Sequence, residues 1–341
     1  MRATSGSDHF RVGMLFAVAS AFTFGMSGSL AKSLIEAGWS PTAAVVARLA
    51  GGALALAAVA TVIRPGWFQE ARQHAGTVVL YGLIPIAGSQ LCFFNAVAHL
   101  SVGVALLLEY TSPVLVVGWF WATTRLRPGT LTLGGVALAV AGITLVLGLI
   151  GPHGPSNASV NLIGIGWGLG AAVCAVCYFV MSDKASADGT GLHSITLATG
   201  GLIIGAVAVG LFAATGAMPM TFTGQNAVFA HATVPWIVPV IALAIIPTAL
   251  AYTLGVMAIA RLQPRFASLV GLAEVMFAVL TAWALLGEAI TPTQALGGAV
   301  VLAGLALARL GDRSERPTEP STQQEPTPPQ ASADAQTIGR G

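Results

Sequence analysis

Apolar stretches of about 20 residues recur along nearly the whole chain, and they leave few folds open to it. A run of that length carries a helix across a ~30 Å hydrocarbon core, because each helical residue advances the chain by about 1.5 Å. The runs are continuous and do not alternate polar with apolar, which rules out a membrane β-barrel. Only 8% of the residues are charged, against about 25% in a soluble domain, so a water-facing surface could not be covered. Hydrophobic residues make up 55%, and the mean hydropathy of +0.80 agrees. The sequence reads as an all-α polytopic membrane protein.

Ten spans can be placed, at 12–35, 41–63, 76–98, 101–124, 130–150, 161–183, 193–215, 234–259, 264–286 and 291–310. Ser40-Pro41 marks a helix start, with a capping hydroxyl followed by proline at the first helical position. GPHGPSNAS at 151–159 ends whatever helix precedes it. The stretch 312–341 is rich in Pro, Gln and Ser and reads as a disordered tail. MRATSGSDHF lacks the pattern of a cleaved signal peptide, so the first span is expected to stay. Cys92, Cys174 and Cys177 all fall inside apolar runs, which implies no disulfide framework, and CxxC within a packed helix favours small-residue packing over redox chemistry.

Lysine and arginine placement gives an orientation. Lys32 and Arg48 lie inside spans, and the other 13 all fall on one face if both termini share it. That face is then cytoplasmic, and the protein a multi-pass protein of the cell membrane with both termini inside.

Sliding the chain by 162 residues brings Ile84-Pro85 onto Ile246-Pro247 and AVAHL (96–100) onto AIARL (258–262). The chain is therefore expected to hold two repeats of five helices, 12–150 and 161–310, between a short tail at 1–11 and a longer one at 311–341. An odd number of spans per repeat makes the two copies inverted. The charges agree: the loop at 98–102 carries only His99, whereas its counterpart at 260–265 carries Arg261 and Arg265. Inverted repeats build alternating-access transporters, with the substrate held near the midplane between the halves.

Two stretches, VGVALLLEYTSPVLVVGWFW (102–121) and RFASLVGLAEVMFAVLTAWALLGEAITPTQALGGAVVLAGLAL (265–307), resemble the EamA-type branch of the drug/metabolite transporter superfamily. The second matches the family's LAEP…AWLLLGE…T…Q..G pattern nearly end to end, departing at Val275, where proline is usual. The resemblance implies ten helices in two five-helix repeats. It is nearest to bacterial inner-membrane exporters of amino acids and small metabolites such as threonine and homoserine.

An ionisable group near the bilayer centre costs ~2.5–3.5 kcal/mol on insertion scales, so such groups face a bundle interior or water. Glu109 lies about 12 Å deep and Arg48 about 10 Å deep from the same face. Opposite charges at similar depth suggest that the two meet, either as a gate that coordinates substrate or as a permanent structural pair. Glu274 lies about 15 Å into its span. The repeat shift sets it one turn from Glu109, so the two carboxyls could line a central cavity and carry protons; a helix-packing hydrogen bond is the competing role. Lys32 and Glu36 stand four apart near the outer end of the first span and read as snorkelling to the interface. Asn95 and Tyr252, with Gln90, Tyr178 and Trp119, could supply polar or aromatic contacts in that cavity.

Pro85, Pro113 and Pro247 sit inside spans and are candidate hinges, or plain kinks. Gly134-Gly135, Gly142, Gly297-Gly298 and Gly304 read as sites of close helix approach. The expected function is secondary transport: export of amino acids or related small polar metabolites, coupled to protons. An importer or facilitator is the alternative within transport. A receptor or intramembrane enzyme is the alternative outside it, but no His cluster lies within the spans, and HExxH, GxSxG and Walker motifs are absent. The expected partners are a small-molecule substrate, protons and the lipid bilayer, with no nucleic acid, no metal and no cofactor. The protein would work as a monomer or a homodimer.

Overall fold

The structure is a computed structural model that describes residues 4–125, 127, 129–147, 161–187, 192–259 and 264–315. It is helical almost throughout. α1 (Thr4–Glu36) and α2 (Pro41–Ile63) are followed at one end of the bundle by the short α3 (Trp67–Gln73). α4 (Ala75–Tyr81), a π-helical turn (Gly82–Gly88) and α5 (Ser89–His99) make one continuous helix. α6 (Val102–Glu109), α7 (Ser112–Thr124) and α8 (Thr130–Val146) complete the first half. The second half holds α9 (Leu162–Ala187) and α10 (Ser194–Ala214). After them α11 (Ile237–Ala244), a second π-helical turn (Ile245–Leu250) and α12 (Ala251–Ile259) form another continuous helix, before α13 (Pro264–Leu286) and α14 (Pro292–Glu315). Six described segments are long and apolar enough to cross a membrane, and four shorter helices are apolar.

Local chemistry explains several boundaries. Pro41 opens α2, and the Ser40 hydroxyl accepts from the Ala43 N–H at 3.2 Å, as the Ser-Pro pair predicts. Two of the three prolines expected inside spans change the helix around them. At Pro85 and Pro247 the helix widens into a π turn. A proline has no N–H, so the ladder re-forms one residue further on. The Ser89 N–H reaches the Ile84 carbonyl and the Ala251 N–H reaches the Ile246 carbonyl, both five residues back and both just before the proline. Pro113 differs: it stands in the first turn of α7, after a break at Tyr110-Thr111, where its missing N–H interrupts no ladder.

α8 packs against α14, α1 against α13 and α12, α2 against α10, and α5 against α9, so each pairing joins the two halves of the chain. The α8–α14 contact is built on small residues. A Cβ at Gly135 would lie 2.3 Å from the Ala308 nitrogen, and one at Gly142 would lie 2.6 Å from the Val301 nitrogen. The contact climbs α8 while descending α14, so the two helices run antiparallel. Gly297 and Gly304 belong to the same seam, whereas Gly134 faces open space and Gly298 makes only ordinary contact, contrary to expectation. The Cys174 thiol packs where a side chain at Gly88 would stand, and all three cysteines are free.

Two segments differ from their expected form. The stretch expected to open a span at 234 begins with a β-hairpin, β1 (Ala227–Phe229) paired antiparallel to β2 (Ala232–Val234), and the helix starts at Ile237. α14 continues to Glu315, past the expected start of the tail. The break at 151–159 and the tail beyond 315 lie outside the described residues.

At the end of the bundle opposite the N-terminus, the chain before the hairpin lies over the α1–α2 turn. Ser40 and Thr221 exchange two hydrogen bonds, Trp39 donates to the Thr223 carbonyl at 2.9 Å, and Thr223 donates to the Ala37 carbonyl at 2.7 Å. Trp39 also packs against Phe222 and Trp236.

Candidate functional site

Arg48 is buried on α2, and both π turns converge on it. Its guanidinium donates to the Gln90 side-chain oxygen and the Ser27 hydroxyl, each at 2.5 Å. It also donates to the Thr248 hydroxyl and the Pro247 carbonyl, each at 3.2 Å, and it lies 5.6 Å from the centre of the Phe94 ring. Gln90 follows the first π turn, whereas Pro247 and Thr248 belong to the second. Gly52 lets the second turn in, since a Cβ there would fall 2.3 Å from the Thr248 methyl group. Five neutral contacts stand in for the lost water shell of a buried cation.

The two acids lie next in line. Ser89, adjacent to Gln90, donates to Glu109 at 2.6 Å. Tyr110, adjacent to Glu109, donates to Glu274 at 2.8 Å. A polar string thus runs from Arg48 through Gln90-Ser89 to Glu109-Tyr110 and on to Glu274, crossing from the first half of the chain to the second. Both carboxylates act electrostatically on the Arg48 guanidinium, yet neither forms an ion pair with it among the described residues. The expected direct meeting of Arg48 with Glu109 is therefore corrected: the Ser89-Gln90 dipeptide stands between them, each residue serving one charge.

A family model described as the EamA-like transporter family matches residues 11–148 and again residues 162–310. The chain belongs to the EamA-like transporter family. This EamA-like protein is 31% identical over 280 residues to the threonine/homoserine exporter RhtA of Escherichia coli K12, covering 81% of its own length and 84% of the relative's. The RhtA of Salmonella typhimurium SL1344 is 30% identical over 291 residues, covering 84% and 88%. An uncharacterized inner membrane transporter, YicL of S. typhimurium LT2, is 24% identical over 309 residues, covering 89% and 97%. A crystal structure at 19% identity superposes with a TM-score of 0.55 over 91% of this chain and 99% of its own, a likeness of fold alone. This EamA-like protein is a multi-pass membrane transporter.

Other expected site residues of the EamA-like transporter fare unevenly. Asn95 is buried but returns its amide to the Leu91 carbonyl of its own helix at 2.7 Å, outside the polar string. Tyr252 packs edge-on against Phe24, with ring centres 5.2 Å apart, and lies within electrostatic reach of Arg48. Trp119 is exposed and faces outward. The side chains of Tyr178 and Pro113 lie outside the described residues. Lys32 does not snorkel beside Glu36: it pairs with Glu288, while Glu36 is exposed. The coming together of α1, α13 and the α5–α6 turn offers the ammonium a fixed carboxylate, which it takes in place of water. Sequence reading missed Ser27, Ser89, Tyr110, Thr248 and Glu288. Hydroxyls are common in membrane helices and gave no signal, but Ser89 and Gln90 stand one turn beyond a proline, and Tyr110 adjoins a charge.

At the N-terminal end of the bundle, Glu70 on α3 accepts from the Arg64 Nε at 2.7 Å, the His193 N–H at 2.7 Å and the Thr196 hydroxyl at 2.9 Å, tying α3 to the start of α10. Burial raises the Glu70 carboxyl, but these donors and the Arg64 charge outweigh it and hold it at about 2, below its ordinary 4.5. A depressed carboxyl stabilises the fold above its ordinary value, and that contribution is lost as pH falls from 4.5 toward 2. Amide exchange at His193–Leu197, corrected for intrinsic rates, is expected to speed up over that interval. In Glu70→Gln it is expected to be fast already at neutral pH and to vary little with pH; a wild-type profile in the variant would reject the role.

Proposed function

We propose that the protein is a proton-coupled exporter of amino acids or related small polar metabolites, working by alternating access. In this reading ten spans form two inverted repeats, both termini are cytoplasmic, and Glu109, Glu274 and Arg48 carry the substrate and the proton between the halves. The reading rests on the polar string: a cation and two acids, joined through hydroxyls and an amide, at the seam between the halves.

Other observations support it. The family model matches twice, the two π turns fall at corresponding places in the two matches, and α8 and α14, last in each match, run antiparallel. Intramembrane charges mark transport paths. An amino acid brings a carboxylate that suits Arg48 and an ammonium that suits Glu109 or Glu274, and the similar RhtA proteins are exporters of threonine and homoserine.

Reconstituted vesicles test the reading. With threonine or homoserine on one side, an imposed pH gradient is expected to drive accumulation, and collapsing the gradient is expected to stop it. Equal movement with and without the gradient would make the protein a facilitator, and no movement of any amino acid would reject the substrate class.

A further inference from the structure

We propose that Lys32 and Glu288 form a latch that closes the outer end of the transport path, and that this latch breaks each time the path opens outward. The inference rests on the alternating-access reading and adds to it the residues that hold one side shut. Three elements meet at the end of the bundle opposite the N-terminus: the last turns of α1, the turn between α5 and α6, and the turn after α13. Lys32 Nζ binds Glu288 Oε1 and donates to the Leu100 carbonyl at 3.3 Å. Glu288 Oε2 accepts the backbone N–H of Val102 at 3.2 Å.

Val102 is the first residue of α6, so the carboxylate satisfies one of the donors left open at a helix start, where negative charge is favoured. Glu109 is the last residue of the same short helix. One ion pair therefore ties α1 and the helix carrying the candidate proton site to the second half of the chain. Among the described residues it is the one ion pair joining the two halves.

Below the pair the seam is tight and neutral. The Ser29 and Thr281 hydroxyls meet at 3.2 Å, and Thr281 donates to the Gly25 carbonyl at 3.1 Å. A Cβ at Gly28 would fall 2.3 Å from a Val102 methyl group, and one at Gly25 would fall 2.8 Å from the Phe277 Cβ. No charge anchors this layer, so the Lys32–Glu288 pair above it is the charged contact that holds this end of the seam. The pair itself can part, because its side chains keep 19% and 18% of their exposure and regain water as they separate.

Cysteine accessibility tests the latch without requiring transport. Cys92, Cys174 and Cys177 are replaced by alanine and Ser29 by cysteine, which lies one turn below Lys32. A membrane-impermeant maleimide is then applied from the outer side. Labelling is expected to be slow in this parent and about tenfold faster with Lys32→Gln or Glu288→Gln, as follows from losing ~1.4 kcal/mol of charged hydrogen bonding. Lys32→Arg keeps the charge and is expected to label at the parental rate. The doubly reversed Lys32→Glu/Glu288→Lys protein is expected to recover only part of the protection, since its Val102 N–H loses its acceptor. Parental rates in both glutamine variants, or no recovery in the reversed pair, would overturn the proposal. Amino-acid flux in the same vesicles is read separately: latch-dependent labelling without amino-acid flux would reject the amino-acid substrate class and leave the latch standing.

Discussion

The Glu109→Gln variant is expected to reach the membrane in normal amounts and to lose gradient-driven transport by on the order of a hundredfold, the low end of what a positioned proton-transfer group contributes. The substitution is nearly isosteric. The glutamine oxygen can still accept from Ser89, so the 2.6 Å contact that fixes the side chain keeps its geometry. What goes is the capacity to gain and lose a proton. Glu274→Gln makes the matching comparison, because its oxygen can still accept from Tyr110. If the acids carry protons and substrate, both variants lose coupled flux while keeping their thermal stability. If they serve only to pack helices, both keep flux. Wild-type flux in Glu109→Gln would reject the proposed role of the polar string. Tyr110→Phe completes the set: it cuts the link between the two acids without removing either, and a shifted pH profile separates coupling from mere support.

The fold was legible because hydrocarbon imposes a rule that sequence must obey. Wherever backbone crosses a membrane, its polar groups must bond within the helix, so length and apolar continuity locate the helices with little ambiguity. Proline positions were legible too, as sites where the ladder fails. Their outcome was not. Pro85 and Pro247 widen the helix while Pro113 starts one, and the difference depends on what packs alongside. Gly52 leaves room for Thr248 of the second π turn against α2, a fact about two helices that lie almost 200 residues apart in the chain.

The charged residues of the site were legible by the same rule, since an acid or guanidinium among apolar residues stands out. Their partners were not, because pairing is decided by register between helices. Arg48 and Glu109 are joined only through the neighbouring side chains of Gln90 and Ser89. Depth says nothing of rotation about the helix axis, and just beyond the π turn at Gly82–Gly88 Ser89 bonds to Glu109 while Gln90 bonds to Arg48. The same blindness hid Lys32–Glu288. Glu288 lies beyond the end of its span, where a carboxylate looks like an ordinary interfacial residue until α1 is laid beside it.

Gly304→Val is expected to cost about 3 kcal/mol of stability or more. A Cβ at Gly304 would sit 2.4 Å from the Ala139 nitrogen, 2.7 Å from the Gly135 carbonyl oxygen and 2.9 Å from the Ala139 Cα. All three are backbone atoms, which cannot turn aside as a side-chain tip can. α8 and α14 would have to part by about 1 Å to restore ordinary contact distances of ~3.5–4 Å. Parting opens the rest of an antiparallel seam in which Gly135, Gly142 and Gly297 are just as closely approached. No hydrophobic force restores it, because helices within lipid associate mainly through such close packing. Overpacking in a well-packed interior costs ~1–3 kcal/mol, and a contact this short against fixed backbone belongs at or above the upper figure. In detergent the variant is expected to show a lower unfolding midpoint and a smaller folded yield, with Gly135→Val behaving alike. Gly134→Ala supplies the contrast: one residue away, its added methyl group meets nothing within 4 Å, and its midpoint is expected to match that of the parent. Equal midpoints for Gly134→Ala and Gly304→Val would mean that the α8–α14 seam does not hold the two halves of the chain together.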